Sequence, residues 1–173
     1  MKGVECVYQQ GSRVIYGIHG VCEILGFELQ TVGKNKVEYY VLEPVKNPGD
    51  RYYVPTQNAA AVAKLKPILT KAELDVLLES PDAGRDTWID DENQRKQCYR
   101  QMINSGDRAA LISMVKSLHL HKDAQLAQGR KFHLCDENFL RDAEGLLSAE
   151  FALVLNIDPG EVGLYIRNKI SGK

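Results

Sequence analysis

The sequence lacks any long apolar segment. No run approaches the roughly 18 apolar residues that a membrane-spanning helix needs, and the first residues, MKGVECVYQQG, lack the apolar core of a secretory signal. Cysteines are few and form no CxxC pair; they are Cys6, Cys22, Cys98 and Cys135. We therefore expect a cytoplasmic protein without membrane contact, whose cysteines are reduced thiols rather than disulfides.

The common catalytic motifs are missing as well. The chain contains no GxSxG, no HExxH, no GxGxxG and no phosphate-binding GxxxxGKS or GxxxxGKT, and no motif around Cys135 marks it as a nucleophile. Two acidic pairs, Asp90-Asp91 and Asp136-Glu137, lie near predicted helix starts, where carboxylates commonly stabilise the helix dipole. We expect a protein that is not an enzyme and that needs no cofactor.

One stretch does contain the residue types that bind metals. His119, His121, His133 and Cys135 could bind zinc through imidazole nitrogens and a thiolate. On a helix, residues two positions apart diverge by about 200°, so His119 and His121 would converge only in an extended segment. Surface histidines near a basic stretch are therefore the favoured interpretation, and we expect no metal.

The chain also lacks an excess of positive charge. Its net charge is -1, which argues against a protein that holds DNA unaided through a generally basic surface. The residues before Thr70 include 8 basic and 6 acidic side chains (+2), and the rest include 14 basic and 17 acidic ones (-3). Any contact with nucleic acid must therefore be local.

The first 69 residues are rich in β-branched and aromatic residues and in turn formers. Glycines separate the first two predicted strands, VGKNK (Val32–Lys36) is typical of a hairpin tip, and NPGD (Asn47–Asp50) supplies another turn. The predicted strands are Ser12–Tyr16, Gly20–Leu29, Lys36–Val45 and Arg51–Pro55. Four or five short strands over this length indicate a small barrel or a strongly bent sheet.

The remaining residues, 70–173, have helical periodicity. Thr70 and Glu73 form a predicted capping box, a second helix is expected to begin around Trp88 and end near Gly106, and Asp107 can cap a third. A long fourth helix, from about Asp136 to Asn156, aligns Leu140, Ala143, Leu147, Phe151 and Val154 on one face. The sequence thus predicts an α+β fold with two domains, 1–69 and 70–173, the second an all-α helical bundle.

Trp88 is the only tryptophan, and its surroundings are unusual. It follows the loop SPDAGRDTW, and the positions where a core helix would repeat an apolar residue are all charged. One interpretation is a tryptophan that packs in the core or at a hinge. The other is an exposed aromatic wedge that inserts at a DNA base step while nearby cations contact phosphates.

Several short segments occur in a defined order along the chain. The first half contains RVIYGIHGVCEI (Arg13–Ile24), EYYVLE (Glu38–Glu43) and RYYVPTQNAAAV (Arg51–Val62), and the helical half continues with DTW, YRQMINSGD, MVKSL and AEGLLSAEFALVL. Over nearly the whole chain, these segments resemble the CarD/CdnL family of bacterial RNA polymerase-binding regulators. The first segment is similar to the opening strand pair of the family, the second to its EYYVL segment and the third to its VPxxNA segment.

The resemblance implies a function. Residues 1–69 would form a Tudor-like or SH3-like barrel that binds the RNA polymerase β subunit, and residues 70–173 would contact promoter DNA at the upstream edge of the bubble. There Trp88 would wedge into the minor groove and stabilise the open complex. Tethering to polymerase raises the local concentration of the DNA-contacting half, so weak contacts without strong sequence specificity suffice.

The departures from the family pattern guide the choice of site residues. Gln30 and Tyr53 occupy positions where some relatives carry arginines for the polymerase, so we expect Gln30, Arg51, Tyr53 and Pro55 to form the polymerase-binding set. The cations expected directly after Trp88 are replaced by Asp90 and Asp91. The predicted DNA-contacting residues are therefore Trp88, Arg95, Lys96 and Arg100.

An alternative function stays open at this point. The acidic residues after Trp88 and the -3 charge of the second half favour an adaptor that binds polymerase or another protein without touching DNA. We expect a monomer in either case, associated with the nucleoid only through polymerase. The sequence does not indicate which promoters respond, or whether they are activated or repressed.

Overall fold

The computed structural model describes residues 8–171, so Cys6 lies outside the described part of the chain. The chain divides into two compact units, Met1–Ile68 and Leu69–Lys173. The first is built on an antiparallel sheet and the second on helices, which confirms the predicted α+β fold with a Tudor-like unit and a helical unit.

Within its described residues, the N-terminal unit contains five strands in the spatial order β4-β3-β2-β1-β5, and every neighbouring pair is antiparallel. A 3₁₀ turn, Gly17–His19, joins the first two strands, and a short helix α1, Ala59–Val62, precedes the last. The strands are β1 (Arg13–Tyr16), β2 (Val21–Val32), β3 (Asn35–Pro44), β4 (Tyr52–Pro55) and β5 (Leu65–Pro67).

The alternation of apolar residues along these strands builds one core. Side chains from the inner face of the sheet are buried together: Val14, Cys22, Ile24, Tyr40, Leu42, Val54 and Leu65. The register between β2 and β3 shifts at Gly26, which marks a β-bulge. Gly26 adopts φ +153°, a conformation that side-chain-bearing residues rarely adopt, so glycine suits this position.

The helical unit contains five helices among the described residues. The predicted capping box is confirmed: the Thr70 hydroxyl accepts from the Glu73 backbone N–H, and Glu73 accepts from the Thr70 N–H. Asp107 also caps its helix as predicted. The helices are α2 (Lys71–Glu79), α3 (Glu92–Ser105), α4 (Arg108–Ala127), α5 (Leu134–Leu155) and α6 (Pro159–Ser171), with a 3₁₀ turn at Pro81–Gly84.

The predicted start of the second helix was wrong. The helix α3 begins at Glu92, and Trp88 lies in the preceding loop. Two aspartates explain the difference, because each uses its carboxylate to hold a backbone N–H outside a helix: Asp86 accepts from Trp88 at 3.0 Å, and Asp91 accepts from Gln94 at 2.8 Å. Trp88 is therefore a loop residue.

The apolar core of the helical unit is formed by side chains from its helices and the 3₁₀ turn. The predicted face of α5 is confirmed, with Leu140, Ala143, Leu147 and Phe151 buried and Val154 partly buried against them. Leu74, Tyr99, Met114 and Leu118 are also fully buried. None of the helices in residues 8–171 is both long enough and apolar enough to cross a membrane.

Candidate nucleic-acid and polymerase interfaces

Trp88 lies in the loop between the 3₁₀ turn and α3. Its side chain is half-buried and packs against the core of the helical unit, so the packing interpretation describes part of its role. The loop is held to α4, because the Ser117 hydroxyl accepts from the Thr87 N–H at 3.2 Å. The indole therefore has a defined position.

Two side chains cover the indole ring. The imidazole of His121 on α4 stacks on it with centroids 4.0 Å apart and planes within 10°, and the Arg95 guanidinium carbon lies 4.1 Å from the ring centroid. Two groups that close to one ring would overlap on the same side, so they occupy opposite faces. The rim of the indole, rather than a face, is the part that can reach solvent.

Arg95 is buried, with 3% of its surface exposed. Its guanidinium makes a two-bond ion pair with Asp136 on α5, at 3.0 and 2.9 Å, and donates to the carbonyls of Ile89 at 2.6 Å and Asp90 at 3.3 Å. Burial alone would lower the pKa of Arg95, but the hydrogen bonds and charge of Asp136 outweigh it and raise that pKa. Arg95 is therefore a buried charged residue that connects α3 to α5 and to the Trp88 loop.

Asp86 joins the Trp88 loop to α4. One carboxylate oxygen accepts from the Trp88 backbone N–H and from the Ser117 hydroxyl, and the other lies 3.4 Å from Nε2 of His121. The Ser117 hydrogen bond, followed by that from the Trp88 N–H, lowers the pKa of Asp86. These contacts do not form a catalytic triad. In a triad the histidine contacts the serine, whereas here Asp86 contacts both Ser117 and His121.

A carboxylate also lies at the rim of the indole. The Nε1–H of Trp88 donates to Oδ1 of Asp90 at 3.1 Å, and Asp90 is exposed. This contact satisfies the only polar atom of the indole. It also puts a negative charge beside the tryptophan, which opposes the approach of a phosphate.

The predicted cations lie on different sides of α3. Arg95 faces the core, Lys96 is half-exposed and forms an ion pair with Glu92, and Arg100 is exposed. Lys96 and Arg100 are four residues apart, so they share a side of the helix. The structure brings Trp88 and Arg95 together and leaves Lys96 and Arg100 toward solvent.

Sequence reasoning missed three residues of this site, namely Asp86, His121 and Asp136. Asp86 holds Trp88 from within the same loop, whereas His121 and Asp136 come from α4 and α5, and Asp136 is 41 residues from Arg95 in the chain. One weak signal was present. Arg95 precedes the buried Tyr99 by four residues, a spacing that gives both the same inward side of a helix.

Two histidines of the stretch that was considered as a metal site contact separate partners. Nε2 of His119 lies 2.7 Å from Glu144, whereas His121 faces Asp86 and Trp88. Within residues 8–171, no group of three or more His, Cys, Asp or Glu side chains is arranged to hold a metal ion. Cys22, Cys98 and Cys135 are free thiols, and burial raises the pKa of Cys22 to about 11.

The predicted polymerase-binding residues lie in or next to the sheet. Strand register pairs Gln30 with Val37, Tyr53 with Val41, and Pro55 with Tyr39. These pairs alternate with the buried pair of Tyr40 and Val54, so Gln30, Tyr53 and Pro55 share the outer face. Arg51 is exposed directly before β4.

This outer face combines aromatic and polar groups. Tyr53 is 40% exposed and meets Tyr39 edge to face with ring centroids 6.4 Å apart. The Gln30 amide donates to Glu28 at 3.0 Å. Among the described strands, β4 pairs with β3 alone and forms one edge of the sheet. An edge strand beside an exposed tyrosine is a common surface for protein binding.

Residues 8–66 match the family model of the CarD-like/TRCF RID domain. RID denotes the RNA polymerase-interacting domain of CarD-like proteins, and the match confirms the resemblance for the N-terminal unit. It covers β1 to β4, α1 and the first two residues of β5, and it ends before the helical unit begins. A search of curated proteins found no match for the chain.

Proposed function

Because residues 8–66 form a CarD-like RNA polymerase-interacting domain, we propose that this chain is a bacterial transcription regulator. Its N-terminal unit binds the β subunit of RNA polymerase, and its helical unit contacts promoter DNA at the upstream edge of the bubble. The contact stabilises the open complex. In this proposal the chain is a cytoplasmic monomer without a cofactor, and it joins the nucleoid through polymerase. The family match is the single observation that carries the proposal.

The outer face of the sheet supports the polymerase contact. Gln30, Tyr53 and Pro55 share this face, and Arg51 precedes the edge strand β4. An exposed tyrosine supplies a large contact area at a small entropic cost, and an arginine beside it can pair with a carboxylate of the partner. We propose that these four residues bind the polymerase.

The loop that carries Trp88 supports the DNA contact. The indole is held between His121 and Arg95, and the following helix carries Lys96 and Arg100 on one side. Arg95 is buried, so in this proposal it acts through Trp88 and not on a phosphate. We propose that the indole rim enters the minor groove while Lys96 and Arg100 contact the backbone.

Weak DNA contacts are sufficient under this arrangement. Docking on polymerase makes the DNA contact effectively intramolecular, so a chain of net charge -1 can still act. A contact that is stronger in the open complex than in the closed one shifts the equilibrium toward the open complex. The same mechanism can activate or repress, depending on which step limits a promoter.

Two observations favour a second function, a polymerase-binding adaptor without DNA contact. The carboxylate of Asp90 is bonded to the indole N–H and opposes phosphates, and Arg95 is committed to Asp136. Salt distinguishes the two functions. Binding to fork-junction DNA in the presence of polymerase weakens steeply with added salt if phosphates are contacted, and barely changes if they are not.

The polymerase contact is tested by a pull-down with purified RNA polymerase. The full chain and residues 1–68 are both expected to retain the enzyme, because the first unit has its own core, and residues 69–173 are expected to release it. Retention by the helical unit alone, with none by residues 1–68, would overturn the assignment of the polymerase contact to the N-terminal unit.

A further inference from the structure

We propose that Arg95 and His121 are positioning residues that hold the Trp88 indole from its two faces and thereby fix the rim that contacts DNA. Asp136 holds Arg95 in place. We call these three residues the indole clamp. The inference rests on the proposed DNA contact and assigns residues that are not themselves expected to touch DNA.

Each face of the Trp88 indole is covered by one side chain. The imidazole lies 4.0 Å from the indole with nearly parallel planes, and the guanidinium lies 4.1 Å from the centroid on the other side. A cation over a tryptophan face and a stacked aromatic ring each stabilise that ring position. The indole has therefore lost most of its rotational freedom before any DNA arrives, which reduces the entropic cost of binding.

Arg95 is itself held in place by hydrogen bonds to three residues. Its side chain joins the first turn of α3 to the first turn of α5 through Asp136, and to the Trp88 loop through the carbonyls of Ile89 and Asp90. Asp136 is 1% exposed, so this pair is shielded from solvent. The planar guanidinium supplies both the two-bond pair and the stacking surface, and a lysine ammonium supplies neither.

The clamp restricts how Trp88 can contact DNA. A tryptophan that inserts fully between two bases must free both faces for them, but here both faces are already covered. The rim can still press into the groove and contact sugars and base edges. The indole therefore contacts DNA while it remains between Arg95 and His121. The contacts that fix the ring also fix the position of the rim that contacts DNA.

The test compares His121→Ala with His121→Phe in the full chain. Alanine uncovers one face of the indole, whereas phenylalanine keeps the stacking ring and removes only the contact with Asp86. His119→Ala is the matched control, because His119 is on the same helix and pairs with Glu144. Trp88 is the only tryptophan, so acrylamide quenching of its fluorescence reports on the clamp directly.

His121→Ala is expected to raise acrylamide quenching and to weaken polymerase-dependent binding of fork-junction DNA by about fivefold, the scale of one aromatic face contact. His121→Phe is expected to restore both values, and His119→Ala to change neither. Wild-type binding by His121→Ala would overturn the clamp, and so would failure of His121→Phe to restore it.

Arg95→Lys tests the other face, measured where circular dichroism shows a folded helical unit. We expect more quenching and weaker binding, although the charge is kept; quenching equal to that of the wild type would overturn the role of Arg95. Trp88→Ala in the same assay separates the two proposals. If it binds as the wild type does, the DNA contact itself fails. If it weakens binding while His121→Ala does not, only the clamp fails.

Discussion

The two units differ in what they bury. Among the described residues, the N-terminal unit buries one polar side chain, Thr56, within an otherwise apolar core. The helical unit buries five: Arg95, Ser113, Ser117, Asp136 and Glu150. Buried polar groups need specific partners, and those partners come from distant parts of the chain. The first unit is thus defined by a repeating pattern, and the second by individual long-range pairs.

The same contrast applies to function. The proposed polymerase contacts lie on the outer face of a sheet, where a substitution changes the surface and leaves the core intact. The proposed DNA contact is Trp88, whose position depends on the buried pair of Arg95 and Asp136. We therefore expect the two functions to respond differently to mutation.

The largest effect is expected at Asp136. Asp136→Ala leaves the charge of Arg95 buried without a partner, so the free energy of unfolding of the helical unit should fall by about 3–5 kcal/mol. Urea unfolding followed by Trp88 fluorescence measures this change. Asp142→Ala, an exposed position on the same helix, is the control. A loss below about 1 kcal/mol would show that the ion pair contributes little to the stability of the helical unit.

Tyr53→Ala should affect only the polymerase contact. We expect the affinity for polymerase to fall by about tenfold, because an exposed aromatic residue near the centre of an interface commonly contributes at least 1 kcal/mol. Surface plasmon resonance with immobilised polymerase measures the affinity. Leu29→Ala is the matched control, since Leu29 is exposed and belongs to the opposite face of the sheet. Equal losses in both variants would contradict the outer-face assignment.

Asp90→Asn should strengthen the DNA contact. It removes a negative charge beside the indole and keeps an oxygen that can accept from the indole N–H. The expected gain in fork-junction DNA binding is about two- to threefold, the scale of one exposed charge. Asp142→Asn serves as the control for net charge. Unchanged binding, at low salt as well, would favour the adaptor without DNA contact.

Acid should destabilise the helical unit first, as a shallow trend. Every lowered carboxyl pKa resolved among the described residues belongs to this unit: Glu73, Asp75, Asp86 and Glu92. For Asp86 the Ser117 hydrogen bond is the main cause. A carboxyl whose folded pKa is lower than its unfolded pKa stabilises the fold above the unfolded pKa, and this stabilisation is lost as the pH falls through the folded pKa.

Thermal unfolding between pH 7 and pH 3 tests this trend. Trp88 fluorescence reports on the helical unit alone, because the first unit contains no tryptophan, and far-UV circular dichroism reports on both units. The midpoint temperature of the fluorescence transition is expected to fall more than the midpoint of the circular dichroism transition that belongs to the N-terminal unit. Parallel shifts of both transitions would remove this difference between the units.

Local signals made much of the fold predictable. The hairpin tip after Val32, the capping box at Thr70 and the cap at Asp107 each depend on residues within a few positions of one another. The start of α3 was placed too early because Asp86 and Asp91 accept hydrogen bonds from backbone N–H groups before the helix begins. Such side-chain hydrogen bonds cannot be detected from the periodicity of apolar residues.

The site was less predictable for the same physical reason. Trp88 could be singled out as a lone aromatic residue among charges, but its partner His121 comes from α4, and Asp136, the partner of Arg95, comes from α5. Arg95 looked like a surface cation because a charge in a polar stretch normally faces solvent. Only the fold shows that it faces Asp136. The face of the sheet on which a strand residue lies depends only on the alternation along that strand and on the strand register, not on a distant partner.

The lifetime of the open promoter complex tests the central claim most directly. Polymerase is bound to promoter DNA, challenged with a competitor such as heparin, and followed with the wild-type chain, with Trp88→Ala, or with neither. The wild-type chain is expected to prolong the open complex, and Trp88→Ala is expected to bind polymerase equally well but to lose most of this effect. An equal prolongation by both proteins would contradict that claim.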